Sequence, residues 1–462
     1  MEQALKLHLS GHLHEAAKAY QVALQKAPDN ADLLSNYGGL LCSLGAYDEA
    51  RRLLVQAVTV DPACVTGWCN LGNCLQRLQQ YGDAIAAYRN GLQIMSTHAL
   101  ALSILGLALD CCGEHALAKN FHQTAISLDP DNVQSRMNHA RSLLSAGDYQ
   151  NGFREYEWRW VPPGTRNELQ AREQWKGEVA PDATLLIHAD GHFGDMLQFV
   201  RFVPEAEKRC GRVIVRVQKE LLSLLQRSFP ATCFISEDDL IPEYDVQCPV
   251  MSLPFALGTT LDTLPFANGY LRADPDKVAV WRDRIDNDIA LGPVSNRIPL
   301  RVGLVWTGSP HRDVPGASLI DQRRSTDLAS FAPLAAAVPD AVFYSLQIGE
   351  RAEQAKTPPH GMRIIDHTAI LRDFDDTAAF VSVLDIVIAV DTSTAHVAAG
   401  LGKPIWMLSR FDQCWRWLSR RIDTPWYDTL RIYQQAKPLD WGGPIERVCV
   451  DLQKFNTSFD RE

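Results

Sequence analysis

Apolar and small residues follow two different rhythms along this 462-residue chain. Over the first 160 positions they recur at helical spacing within a period of 34. Pro28, Pro62 and Pro130 stand on that ladder with Ser96 in the remaining place, and Ala16, Ala50, Ala84 and Ala118 stand on another. This period is that of tetratricopeptide helix pairs, whose two helices cross at small side chains. Gly45, Gly113 and Gly147 mark the turns inside pairs. Trp68, Leu71, Gly72 and Leu75 follow the first-helix pattern, and Asn36, Tyr37, Gly38 and Leu41 approximate it. About five units are expected, the last ending at residues 153–160 (FREYEWRW), where Tyr156, Trp158 and Trp160 read as a seal on the array. A single pair cannot bury its own apolar face, so the pairs stack into a solenoid whose groove is an interaction surface.

Beyond the Pro/Gly-containing stretch 161–170, short apolar runs alternate with helical stretches, the pattern of α/β units. Strands are expected at 184–189, 212–217, 233–235, 301–306, 342–346, 363–365, 385–390 and 405–408. Helices are expected at 195–207 and 219–229, and a charged helix at 276–288 bridges two halves. The predicted fold class is therefore α + α/β. It comprises a tetratricopeptide α-solenoid at 1–160, a linker at 161–180, Rossmann-like halves at 181–290 and 291–440, and a C-terminal helix and tail at 441–462. Two doubly wound sheets leave a cleft that both sets of strand ends can face.

The stretch 385–404 (DIVIAVDTSTAHVAAGLGKP) carries the most chemistry. Its run Ile386, Val387, Ile388, Ala389, Val390 suits a strand covered on both faces, with Asp391 at the carboxyl end. Thr392, Ser393 and Thr394 supply capping chemistry, and His396 falls in the same first turn, whose amides lack intrahelical acceptors. Two readings fit: an ordinary capped helix, or a site for a phosphate at a helix start. In the loop 189–199 (ADGHFGDMLQF), Gly191 and Gly194 flank a tight turn and Asp195 opens a helix. Asp195 is either a cap or a functional carboxylate, and the glycines point to close backbone approach by a ligand. The loop 307–325 begins at Thr307 and delivers Arg323 and Arg324 beside the Asp391 turn, where a bidentate contact would neutralise a diphosphate. Gln347, after the strand VFYSL, is a candidate for a base or ribose contact. Trp415, Trp417, Trp426 and Tyr427 read as core, with stacking on a sugar as the alternative. His188, Asp190 and His192 lack a second ligand cluster, and the Asp373–Asp375 string precedes a helix that Asp375 or Asp376 can cap, so no metal is expected.

Charge and composition narrow the function classes. A net charge of −10 argues against a nucleic-acid surface. No run approaches the ~18 apolar residues that a membrane helix needs, and the amphipathic start lacks a signal core, so a cytoplasmic protein is expected. The eleven cysteines include no CxxC spacing and read as reduced core thiols.

Together these residues resemble glycosyltransferase family 9, the heptosyltransferase-like enzymes of the GT-B fold, in the form that carries an N-terminal tetratricopeptide array. The resemblance rests on WKGE (175–178), FGDMLQF (193–199), CPVMSLP (248–254), VGLVWTGSP (302–310), SLQ.G (345–349), DTSTAHVAAGLGKPIW (391–406) and the WRW to DTPWY segment (415–427). The domain order is also similar to that of protein O-GlcNAc transferases. The resemblance implies a GT-B arrangement with an acceptor half first and a donor half second, and a nucleotide-diphosphate-sugar as co-substrate with no cofactor or metal. It implies a protein or glycan acceptor and a protein partner in the repeat groove. Asp195 matches the position proposed as general base. Arg323 or Arg324 matches the basic residue that meets the diphosphate, and Asp391, Thr392, Ser393, Thr394 and His396 match the phosphate loop. Gly194 and Thr307 fall in matched motifs, one in each half, and are expected to contact the donor. Relatives commonly read QGFGD where this chain has GHFGD, with His192 in the glycine's place. A scaffold with an inactive transferase half and a nucleotide-sugar hydrolase or epimerase are the alternative functions.

Overall fold

The computed structural model describes residues 2–162, 164–165, 168–292, 298–309 and 317–458. It divides into two compact units, Met1–Thr165 and Arg166–Glu462.

The first unit is five antiparallel helix pairs. Four first helices begin at Ala31, Val65, Ala99 and Val133, spaced by the 34 residues of the sequence period. Ala16, Ala50, Ala84 and Ala118 are fully buried. A second ladder shows why the small positions recur: a Cβ on Gly38 would strike Leu54, one on Gly72 would lie 2.4 Å from Tyr88, and one on Gly106 would strike His122. The turns at Gly11, Gly45, Gly113 and Gly147 all have φ near +80°. Gln79 occupies the corresponding place in the third pair and holds φ +59° despite its Cβ, a conformation that glycine adopts without strain. At the end of the array the aromatic residues lie under arginines. Arg136 sits 4.7 Å over Trp158, and Arg159 sits 4.6 Å over both Tyr156 and Trp160.

The second unit holds two wholly parallel sheets. The first contains β1 (Ala180–His188), β2 (Cys210–Val217), β3 (Cys233–Ser236) and β4 (Val246–Pro249), in the order β3-β2-β1-β4. After the helix Pro275–Ala290 come β5 (Arg301–Val305), β6 (Val342–Ser345), β7 (Ile364–Asp366), β8 (Ile386–Val390), β9 (Ile405–Ser409) and β10 (Leu430–Gln434), in the order β10-β9-β8-β5-β6-β7. All five residues of β8 are buried, as its unbroken apolar run requires. The sheet topology puts β5 and β9 on either side of β8, so the loops after these three strands share one edge.

Several local expectations change. β4 and β10 were not expected: β4 is four residues containing a polar Gln247, which is buried and paired with His188, and β10 is a polar-apolar edge strand. The stretch 195–207, expected as one helix, breaks into Phe193–Phe199, a tight turn at Val200–Phe202 and Val203–Glu207. Pro204 starts the last piece and cannot continue the earlier hydrogen-bond ladder. The loop expected at 307–325 contains the helix Ala317–Arg324, while residues 310–316 lie outside the described set.

Replacing Gln79 by glycine should stabilise the repeat unit by about 0.5–1 kcal/mol, because it relieves a left-handed residue. Gly72→Ala should destabilise it by about 1–3 kcal/mol through overpacking against Tyr88. Urea unfolding followed by circular dichroism measures both, and equal midpoints for all three proteins would refute this account of the ladder.

Candidate functional site

At the carboxyl edge of β8 the chain turns through Asp391 into the helix Ser393–Gly400, with Thr392 as its N-cap residue in extended conformation. Thr392 makes no side-chain cap, and its Oγ1 is buried without a partner. The Ala395 amide bonds back to the Thr392 carbonyl at 3.1 Å, while the Ser393 and Thr394 amides find no acceptor among the described residues. This helix start therefore keeps unmatched donors, as an anion site would. Two more buried amides carry unpartnered atoms: both polar atoms of Gln413, in the loop after β9, and Nε2 of Gln198, in the helix after β1.

The loop after β1 packs directly against this turn. A Cβ on Gly194 would lie 3.1 Å from the His396 ring, so glycine lets the two helix starts touch. Gly191 has a comparable role, since a Cβ there would collide with the Asp195 carboxylate. The close approach expected at both glycines is thus made by the protein's own side chains. Asp195 accepts from the His192 amide through Oδ2 at 2.7 Å and pairs with Arg416 through Oδ1. Its capping role and its position facing the second sheet coexist. Arg416 also donates from Nε to Gln198 Oε1 at 2.9 Å and lies 4.4 Å over Trp415.

The phosphate-loop candidates divide by contact. Asp391 accepts from the Trp417 indole at 2.9 Å, and its carbonyl accepts from Arg324 at 3.3 Å. Arg324 also pairs with Asp321 at 3.2 Å, while Arg323 pairs with Asp412 at 2.8 Å. Arg324 thus touches this turn directly, while Arg323 and Arg410 meet on Asp412 and Arg416 is held by Asp195. The Gln347 amide is spent on the backbone: Oε1 accepts from the Trp306 and Thr307 amides at 3.1 and 2.8 Å, and Nε2 donates to the Ile348 carbonyl. It fixes the backbone of the loop that starts at Thr307.

His396 is buried, stacked 5.3 Å from Trp417, with Nδ1 2.9 Å from the Tyr427 hydroxyl. Burial pushes its pKa down to about 4, against the pull of Asp391. Sequence reasoning missed the centre of this joint. Arg201 is completely buried and donates to the Trp426 carbonyl at 2.6 Å and the Tyr270 hydroxyl at 3.0 Å, with its guanidinium 4.5 Å from both the Tyr270 and Tyr427 rings. Trp417, Trp426 and Tyr427 are core, as their density implied. Arg416 and Gln198 were also missed, although both lie in stretches singled out for other residues, and the single basic residue of the WRW triplet was the available signal.

The remaining polar strings are structural. His188 Nε2 bonds Gln247 at 3.0 Å, and Asp190 accepts from the Met251 amide. In the Asp373–Asp375 string the cap is Asp373, not Asp375 or Asp376, and it accepts from the Asp376 amide at 2.9 Å. Asp375 is instead paired with Arg227 and Lys277, each at 3.0 Å, which tie the first sheet's helix to the second's.

An unfolded histidine near its ordinary 6.5 takes up a proton that His396 refuses until about pH 4, so stability falls as pH drops through that window. The full effect is about 3 kcal/mol. Denaturation midpoints of the wild type and His396→Gln between pH 7 and pH 4 should diverge in slope, the variant being flatter; parallel curves would contradict this.

Tetratricopeptide repeat models match residues 7–68 and 65–98. The chain is similar to protein FlbA of Caulobacter vibrioides, at 22% identity over 98% of this chain and 84% of that protein, a likeness that spans both units. At 26% identity it is similar to the BBSome complex member BBS4 of Bos taurus over 32% of this chain and 35% of that one, so it aligns with about a third of that relative. A solved tetratricopeptide protein of Thermus thermophilus matches 36% of this chain and 90% of its own, with 18% identity and a TM-score of 0.33. No described helix is long and apolar enough to cross a membrane. The N-terminal array is a set of tetratricopeptide repeats, a protein-interaction module.

Proposed function

We propose that this chain is a metal-independent glycosyltransferase of GT-B arrangement, which moves a sugar from a nucleotide-diphosphate donor to a protein or glycan acceptor engaged with the help of the repeat array. The observation that carries this reading is the unmatched helix start at Ser393 and Thr394, with the orphaned Thr392 hydroxyl, opposite the Asp195 loop. The family 9 resemblance of the same segments supports it.

In this reaction the acceptor oxygen attacks the anomeric carbon as the bond to the diphosphate breaks, and the acceptor proton passes to Asp195. Charge gathers on the departing diphosphate, where fixed amides at Ser393 and Thr394 meet it without reorganising. Arg323 or Arg324 would add a charge-assisted contact, in exchange for the present partner Asp412 or Asp321. Each Asp195 oxygen retains lone-pair capacity beside its present bond, so the carboxylate can still receive a proton.

The ion pair of Asp195 with Arg416 favours a second reading, a nucleotide-binding scaffold in which that carboxylate only joins the two sheets. Calorimetry with nucleoside diphosphates and transfer assays with a nucleotide-sugar panel separate the two. Asp195→Asn should lower transfer by about 10² to 10⁴ while nucleotide still binds. Thr392→Val and Arg323→Ala should each weaken nucleotide binding, the arginine change by about tenfold or more. Nucleotide binding without transfer from any donor supports the scaffold, and no nucleotide binding at all defeats both readings.

A further inference from the structure

The repeat array brings two thiols together across a junction between repeats. Cys42 lies near the end of the helix Ala31–Ser43 and Cys74 near the end of Val65–Arg77, the first helices of the second and third pairs. These are not equivalent positions of the 34-residue period. They are facing ones, and the array itself shows this. The same two places recur two periods later as Asp110 and Ser142, where the Ser142 hydroxyl donates to Asp110 Oδ1 at 3.1 Å. Both junctions are packed in one register: Asn70 donates to Ser35 Oγ at 3.2 Å, and two periods later Asn138 donates to Ser103 Oγ at 3.1 Å. The crossing that sets Ser142 on Asp110 therefore sets Cys74 on Cys42.

The local bonds agree. Cys74 Sγ donates to the Tyr47 carbonyl at 3.3 Å, just across the Gly45 turn from Cys42, and the Cys42 thiol hydrogen-bonds to the Cys74 sulfur. Both cysteines are free thiols, Cys74 fully buried and Cys42 half-buried, so Cys42 gives the pair its access to water. The contact also alters their acidity. The Cys42 S–H beside it holds the Cys74 thiol below the usual cysteine range against the opposition of burial, with a smaller pull from Arg51, while Cys42 itself is pushed up. As a unit the pair releases its first proton more readily than a lone thiol, and the shared proton lets either sulfur carry the charge.

We propose that Cys42 and Cys74 form a reversible disulfide that locks the second repeat to the third when the protein meets a peroxide. The Cys42 thiolate attacks one oxygen of hydrogen peroxide, the O–O bond breaks, and the departing hydroxide takes a proton and leaves as water, so that Cys42 becomes a sulfenic acid. The Cys74 sulfur then attacks the Cys42 sulfur, the S–O bond breaks, and the hydroxide leaves as a second water with the Cys74 proton. Two thiols and one peroxide give one disulfide and two waters, and a small dithiol restores both thiols by exchange. The sulfurs need only close from hydrogen-bond contact to about 2.05 Å. Rotation between neighbouring repeats sets the curvature of a solenoid and the shape of its binding surface, so a bridge at this junction fixes that surface.

The full chain, titrated with hydrogen peroxide, then alkylated at its remaining thiols and digested with trypsin, tests this by mass spectrometry. Peptide 27–51 should be joined to peptide 53–77 at a lower peroxide dose than any other cross-link forms, and dithiothreitol should separate them. The second peptide also carries Cys64 and Cys69, so Cys74→Ala, which should abolish the cross-link, identifies the partner. Cys42→Ser, at the half-buried position, should abolish it as well while the reduced variant melts within about 2 °C of the wild type. Bridging should raise the melting temperature of the array, followed by circular dichroism, by about 5 °C in the wild type and not in peroxide-treated Cys42→Ser. A cross-link that survives Cys74→Ala, a different cysteine pair closing first, or Cys42 passing to sulfinic acid without a bridge would each overturn the pairing. A bridge that leaves the melting temperature unchanged would overturn the lock.

Discussion

A buried cation joins the second unit's two sheets. Arg201 follows β1, yet its guanidinium ends against the carbonyl of Trp426 and the rings of Tyr270 and Tyr427, close to the strands of the other sheet. No carboxylate among the described residues neutralises it. Carbonyl dipoles, a hydroxyl and aromatic faces replace its hydration, an arrangement favourable only when every donor is met and the rings are fixed. Removing any one of these partners would leave a charge in a dry interior, so the joint tolerates little movement. From it a continuous path runs through the Tyr427 hydroxyl to His396, and from His396 to Gly194.

That rigidity sets the electrostatics of the candidate site. Arg323, Arg324 and Arg416 are each matched by an aspartate, and the helix start at Ser393 is not matched. Side-chain charge here is balanced while backbone donors stay open, and an anion would meet preorganised amides first and displace side-chain partners second. Asp195 sits on the boundary of this arrangement, bonded to its own helix through one oxygen and to the other sheet's Arg416 through the other.

The repeat unit uses its periodic frame differently at each position. The place held by Leu54 and Tyr88 is taken in the fourth pair by His122, which reaches Asp110 at 3.1 Å, with His115 and Ser142 on the same carboxylate. Hydrogen bonds from these neighbours hold the Asp110 pKa below its ordinary value although burial opposes them. The interior of the fourth and fifth pairs is thus partly polar, whereas the second and third pairs are packed by aliphatic and aromatic side chains.

The sequence alone determined the elements whose physics is local. The 34-residue ladder, the all-apolar β8 run and the helix start after Asp391 depend on neighbours within a few turns of chain, and each is visible as a pattern of residue types, although the cap expected of the Thr392 side chain is not made. The neighbouring of β5 and β8 followed from parallel topology, and the core role of Trp417 and Trp426 from their density. What only the tertiary structure decided is which polar groups meet across long separations. Arg416 reaching Asp195, Arg201 reaching Trp426 and Gln347 turning onto the Thr307 amide join residues that no periodicity relates. A side chain's charge is written in the sequence, but its partner is fixed by where the sheets come to rest, and that depends on the sum of many weak packing contacts.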